Sequence, residues 1–256
     1  MGVEQDLKKA VEWYTKAADQ GNSKAQFNLG YCYDEGFGVE QDLKKAVEWY
    51  TKTADQGHSK AQYNLGICYH QGFGVEQDLK KAVEWYTKAA DKGLSNAQFN
   101  LGCCYHQGLG VEQDLKKAVE WYAKAADQGE SKAQFNLGCC YEQGLGVEQD
   151  LKKAVEWHTK AADQGESKAQ FNLGHRYEKG LGVEQDLKKA VEWYTKVANQ
   201  GESKAQFHLG YCYEQGLGVE QDLKKAVEWY AKAADQGHSK AQFNLKYCRQ
   251  QGLGVE

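Results

Sequence analysis

The segment Val3 to Trp13, VEQDLKKAVEW, returns letter for letter at Val39, Val75, Val111, Val147, Val183 and Val219. Seven units of 36 residues account for all but four of the 256 residues. A chain of this length would otherwise divide into one or two globular domains, each with its own core. Identical units that all carry the same apolar face bury it against one another in a row instead. The expectation is therefore one array over residues 1–256, with units 3–38, 39–74, 75–110, 111–146, 147–182, 183–218 and 219–254.

Within one unit, Leu7, Ala10, Val11, Trp13, Tyr14, Ala17 and Ala18 share a stripe at about 100° per residue, while Lys8, Lys9, Glu12, Lys16 and Asp19 fill the opposite side. This predicts a helix from Asp6, placed to cap its first turn, to Gly21, placed to end it in the left-handed conformation. Ser23 and Gln26 match a capping box that opens a second helix running to Gly36. On that helix Ala25, Leu29, Gly30 and Tyr33 form the inward face, with Gly30 expected to admit a neighbouring backbone. Neither segment alternates as a strand would, so each unit is an antiparallel helix pair and the fold class is all-α. A 36-residue hairpin is too small to bury enough apolar surface by itself, so stacking must supply the stability.

Composition closes several classes. No run approaches the ~18 consecutive apolar residues of a membrane span. The repeat sequence directly after Met1 is unlike a basic and then apolar leader, which predicts a cytoplasmic protein. The 32 basic and 36 acidic residues are interspersed in every unit, for a net charge of −4, and give no general attraction for nucleic acid or anionic lipid.

Ala25, Leu29, Gly30, Tyr33, Gly36, Gly38, Val39, Asp42, Lys45, Ala46, Trp49, Tyr50 and Lys52 recur in register, and this pattern resembles the Sel-one-like repeat (SLR) family, a relative of the tetratricopeptide repeat. The resemblance implies a right-handed α-α superhelix whose concave side is lined by the helix carrying Leu-Gly-x-x-Tyr. It also implies an adaptor or scaffold, without catalysis or cofactor, that holds a peptide or protein partner. Some secreted relatives carry two cysteines per repeat and a β-lactamase activity. Here Ala18 and Ala25 stand at the corresponding places, which removes most of that analogy and leaves a β-lactam-binding hydrolase as an alternative.

The candidate partner-binding residues lie on the second helix of each unit. An aromatic ladder comprises Phe27, Tyr63, Phe99, Phe135, Phe171, Phe207 and Phe243. Two readings stand side by side: anchors along a groove, or rings packed across the seam onto the next unit. The position after the helix glycine varies while its surroundings are copied, and contributes Tyr31, Ile67, Cys103, Cys139, His175 and Tyr211. Three residues further, His70 and His106 give way to Glu142, Glu178 and Glu214, which would suit a partner with an apolar stripe and a basic C-terminal portion. Lys24, Lys60, Lys132, Lys168, Lys204 and Lys240 interleave with the aromatics, so single-stranded RNA is a further alternative.

Six of the eight cysteines share one repeat position, and Arg176 fills the seventh. Packed helices stand about 8–10 Å apart, beyond the reach of a disulfide, so free thiols are expected. Cys103, His106, Cys139 and His175 are spread over too many units to hold a metal. The fifth unit departs from its copies at His158, His175, Arg176 and Lys179, which reads as a local cationic site or as relaxed sequence. Lys246 and Arg249 suggest a polar cap on the last unit, while the unmodified apolar face of the first helix allows end-to-end self-association.

Overall fold

The computed structural model describes residues 2–254, with side chains from Asp6 onward. Met1, on which the reading of a missing leader turns, lies outside the described residues. The chain divides into two compact units between Glu130 and Ser131. The first holds α1 (Gly2–Asp19), α2 (Ser23–Glu35), α3 (Leu43–Asp55), α4 (Ser59–Gln71), α5 (Leu79–Asp91), α6 (Ser95–Gln107) and α7 (Leu115–Asp127). The second holds α8 (Ser131–Gln143), α9 (Leu151–Asp163), α10 (Ser167–Lys179), α11 (Leu187–Asn199), α12 (Ser203–Gln215), α13 (Leu223–Asp235) and α14 (Ser239–Gln251). Inside each unit every helix packs on the one before and the one after it. Among the described residues there is no strand, and no helix is long and apolar enough to cross a membrane.

The predicted stripe is the observed core. Ala46, Val47, Tyr50 and Ala54 of α3 meet Ala61, Leu65 and Cys68 of α4, and the same set recurs in α5–α6 and α11–α12. Small alanines let the helix axes approach, and one leucine with one tyrosine, replaced by His158 in α9, fills the space between them. The hydroxyls of Tyr50, Tyr122, Tyr194 and Tyr230 reach the preceding helix.

What Gly30 admits is chiefly a ring. A Cβ there would stand 2.9 Å from the Tyr50 ring and 3.2 Å from Trp49 Cβ, so the glycine first of all admits a tyrosine side chain; at the sister positions Gly102 and Gly210 the backbone oxygens of Ala118 and Ala226 also come within 3.3 and 3.2 Å. The same holds at Gly66 against Tyr86 and at Gly174 against Tyr194, with ring atoms 2.6 Å from the missing carbon.

The helix starts also correct two expectations. Asp6 lies inside α1 and caps nothing, whereas its counterparts Asp42, Asp78, Asp114, Asp150, Asp186 and Asp222 each accept from a backbone N–H in the first turn. No capping box forms at Ser23 and Gln26: the cap is Asn22, whose side chain accepts from the Ala25 N–H. Gln26 is buried and donates to the Ala18 carbonyl, while Gln56 donates to Gln26 Oε1 at 2.8 Å. That glutamine chain recurs at Gln98 and Gln128, and at Gln170 and Gln200. It ties the end of one helix, the start of the next and the following hairpin together.

The variable position 22, 58, 94, 130 is thus a cap position. His58 and His238 cap through Nδ1, whereas Leu94, Glu166 and Glu202 make no side-chain cap bond. Glu166→Asn should supply that missing acceptor and stabilise the protein by about 0.5–1 kcal/mol, read as a higher denaturant midpoint. An unchanged midpoint would show that water already serves these N–H groups.

Candidate functional site

The aromatic ladder is a seam. Phe27 packs on Tyr50 at 5.9 Å between ring centroids, Tyr63 on Tyr86 at 6.0 Å and Phe99 on Tyr122 at 6.0 Å. In the second unit Phe135 meets His158 at 5.4 Å, Phe171 meets Tyr194 at 5.7 Å and Phe207 meets Tyr230 at 5.8 Å. These six rings are half-buried, with one edge on the next helix and one edge wet. Phe243, with no following helix, is 71% exposed.

The position after the helix glycine is mixed. Tyr31, His175 and Tyr211 are exposed. Ile67 packs against the α5–α6 core, Cys103 accepts from the Tyr122 hydroxyl at 3.5 Å, and Cys139 is half-buried.

The series three residues further faces inward. The Tyr50 hydroxyl donates to Asp34 at 3.0 Å, Tyr194 to Glu178 at 2.7 Å and Tyr230 to Glu214 at 2.7 Å. His70 and His106 hold the equivalent places against Tyr86 and Tyr122, ring centroids 6.2 Å apart. Burial, aided by the neighbouring carboxylate at three of these sites, pushes the phenols of Tyr50, Tyr194 and Tyr230 well above their usual range. Two of the acidic groups expected to meet a basic partner, Glu178 and Glu214, are therefore turned toward tyrosine hydroxyls within the protein.

The fifth-unit departures converge on one spot. Arg176 is not a surface cation: it is 2% exposed, and its Nη2 lies 2.7 Å from Glu142 Oε2. His158 is fully buried, with Nε2 3.6 Å from the same oxygen. The His158 imidazole first, and then the Arg176 guanidinium, hold the Glu142 carboxyl down at about 2 against the opposing effect of burial. No signal in a single repeat announces this cluster, because its members come from three helices, α8, α9 and α10. His175 stays outside it, exposed.

All eight cysteines are unpaired. Burial pushes the thiols of Cys68, Cys104 and Cys212 up to about 12, so they are small apolar core groups, with little thiolate at neutral pH.

One concave surface of the second unit joins predicted residues to others. Phe135, Phe171 and Val197 form its apolar part, and Lys168, Lys204, Ser167, Ser203, Asn172 and Glu202 its polar margin, around about 420 Å³. The first turns of α10 and α12 supply Lys168 and Lys204, the rings come from one turn further along α8 and α10, and Val197 comes from α11, which places exposed lysines beside half-buried rings.

The Sel1 repeat family model matches residues 1–22, 23–58, 59–94, 95–130, 131–166, 167–202, 203–238 and 239–256. Its units begin at the helix that carries the glycine and end with the helix whose tyrosine that glycine admits, one helix out of phase with the units read from the sequence. The solved structure of a protective antigen present in uropathogenic Escherichia coli strains, displaying an SLR fold, is 42% identical with a TM-score of 0.92. It is matched over 94% of this chain and 52% of its own, so the chain spans about half of that protein. A Sel1 repeat protein from Oxalobacter formigenes is 35% identical with a TM-score of 0.78, over 90% of this chain and 92% of its own. The curated proteins give no match. With every repeat matched and two solved relatives sharing its all-α helix-turn-helix architecture, the chain belongs to the Sel1 repeat family.

Proposed function

We propose that this chain is an interaction scaffold that holds a peptide segment of a protein partner, and that the α8–α10–α12 surface is one place where it does so. The observation that carries this reading is the groove of about 420 Å³ in which Phe135 and Phe171 lie beside Lys168 and Lys204. Half-buried rings already fixed by Tyr194 and His158 lose little entropy when a partner covers them. Exposed lysines at the margin give orientation and faster encounter more than affinity. The segment that fits pairs an apolar side chain with a neighbouring carboxylate, acidic where the sequence alone suggested basic, because Glu142, Glu178 and Glu214 are engaged inside the protein.

Selection of a displayed peptide library on the full chain tests this. The enriched peptides should carry an apolar residue next to Asp or Glu. Lys168→Glu with Lys204→Glu should weaken them and remove their salt dependence, and Phe171→Ala should cost at least about tenfold in affinity. Peptides that bind these variants as well as the parent, with helical content unchanged, would place the binding surface elsewhere.

A further inference from the structure

One cluster in the second unit has donor chemistry found nowhere else among the described residues. Cys139 and Glu142, one turn apart on α8, and His158 on α9 bring a sulfur, a carboxylate oxygen and an imidazole nitrogen all within 4.8 Å of one another. His158 stands where α3, α5, α7, α11 and α13 carry Tyr50, Tyr86, Tyr122, Tyr194 and Tyr230. In three of those places the phenol donates to the acid of the preceding helix. The imidazole makes no such bond: it is completely buried, and neither ring nitrogen has a hydrogen-bond partner. Its Nε2 nevertheless faces Glu142 Oε2 at 3.6 Å, longer than a hydrogen bond. Folded proteins rarely leave a buried nitrogen without a partner, and one aimed at a thiol and a carboxylate is arranged as a ligand is.

We propose that Cys139, Glu142 and His158 bind a divalent cation of the zinc class, with three protein ligands and a fourth position left for water. Sulfur, imidazole and carboxylate together suit zinc or cobalt(II), and exclude magnesium and calcium, which take oxygen ligands. As the cation binds, the Cys139 S–H bond breaks, the sulfur lone pair forms the metal bond, and one proton leaves to solvent; no electron is transferred. Thiolate and carboxylate then offset the two charges of the cation, and the Arg176 guanidinium beside Glu142 leaves one net positive charge at the site. Arg176 does not compete for the place. A carboxylate offers about four lone-pair positions, so Glu142 can keep its 2.7 Å contact with the guanidinium while it serves the metal. The arginine becomes the outer partner that fixes the carboxylate ligand. The 37% exposure of Glu142 leaves a route in. This assignment does not depend on the peptide-binding reading, since neither Glu142 nor His158 lines that groove.

Cobalt(II) titrated into the full chain under reducing conditions, with zinc as displacing ion, tests it. One equivalent should bring a sulfur-to-cobalt charge-transfer absorbance and the visible bands of a tetrahedral site, both removed by zinc. Cys139→Ser should abolish the charge-transfer absorbance. His158→Tyr restores the side chain that the sister helices carry, so the fold is kept, and should weaken cobalt at least about tenfold. The other seven cysteines remain in both variants and report any thiol binding elsewhere. A spectrum of hexaaquo cobalt alone, or titrations of the two variants that superimpose on the parent, would overturn the site.

Discussion

Glu142→Ala should destabilise the second unit by about 2–3 kcal/mol, and adding Arg176→Cys should return most of the loss. Removing one partner of a buried ion pair strands the other, at about 3–5 kcal/mol when both are fully buried. Arg176 is 2% exposed but Glu142 is 37% exposed, so solvent screening places the cost below that range. The rescue follows from the repeats themselves, because six sister positions hold cysteine in this place: Cys32, Cys68, Cys104, Cys140, Cys212 and Cys248. Denaturant unfolding in the presence of a chelator measures the pair without a metal contribution. A double variant no more stable than Glu142→Ala would refute the pairing as the cause.

The same carboxylate gives a pH dependence of fixed sign. Its folded value, about 2, lies below the ordinary 4.5, so the unfolded chain binds the proton more readily. The contribution is fully present above about pH 5 and is lost as pH falls through 4.5 toward 2. The stability difference between the parent and Glu142→Ala/Arg176→Cys should therefore be flat near neutrality and change below about pH 5. A change centred near neutrality would point to another group.

Gly110→Ala should cost about 3 kcal/mol, and Gly93→Ala only about 1. Both glycines have positive φ, +71° and +85°, and a left-handed backbone costs a non-glycine residue about 1–2 kcal/mol. They differ in space. A Cβ on Gly93 meets nothing within 4 Å, whereas one on Gly110 would sit 2.1 Å from the Leu79 carbonyl oxygen. The loop after α6 would have to lift off the start of α5, adding an overpacking cost of about 1–3 kcal/mol. Thermal and denaturant midpoints of the two variants separate the terms. Equal losses would mean that the loop gives way freely and that its glycine serves conformation alone.

The period, the helix pair and the apolar stripe were all legible in VEQDLKKAVEW and its partner helix, because amphipathic spacing and Gly-terminated helices act within a few residues of chain. Asp42, at a helix start, follows its local rule, and Gly36 takes the left-handed conformation at a helix end. Asp6 does not, since the helix it should open simply continues through it. Gln26 departs for the opposite reason: its local motif is sound, but the Ala18 carbonyl eight residues back competes for the amide and wins. Gly30 stands out in the sequence as a place of close approach, yet the Tyr50 ring that it admits lies on a helix that begins after the next loop.

The number of modules, what each is made of and the need for them to lean on one another can be read from the residues alone, since these follow from spacing along the chain. Which side chains meet across helices is a matter of packing in three dimensions. Packing did three things. It turned Asp34, Glu178 and Glu214 inward, set Phe135 and Phe171 beside two lysines, and buried Arg176 against Glu142. Near-identical repeats make the local rules the same everywhere. The differences acquire meaning only through neighbours 16 to 34 residues away, where distance in space and not position in the chain sets the energy.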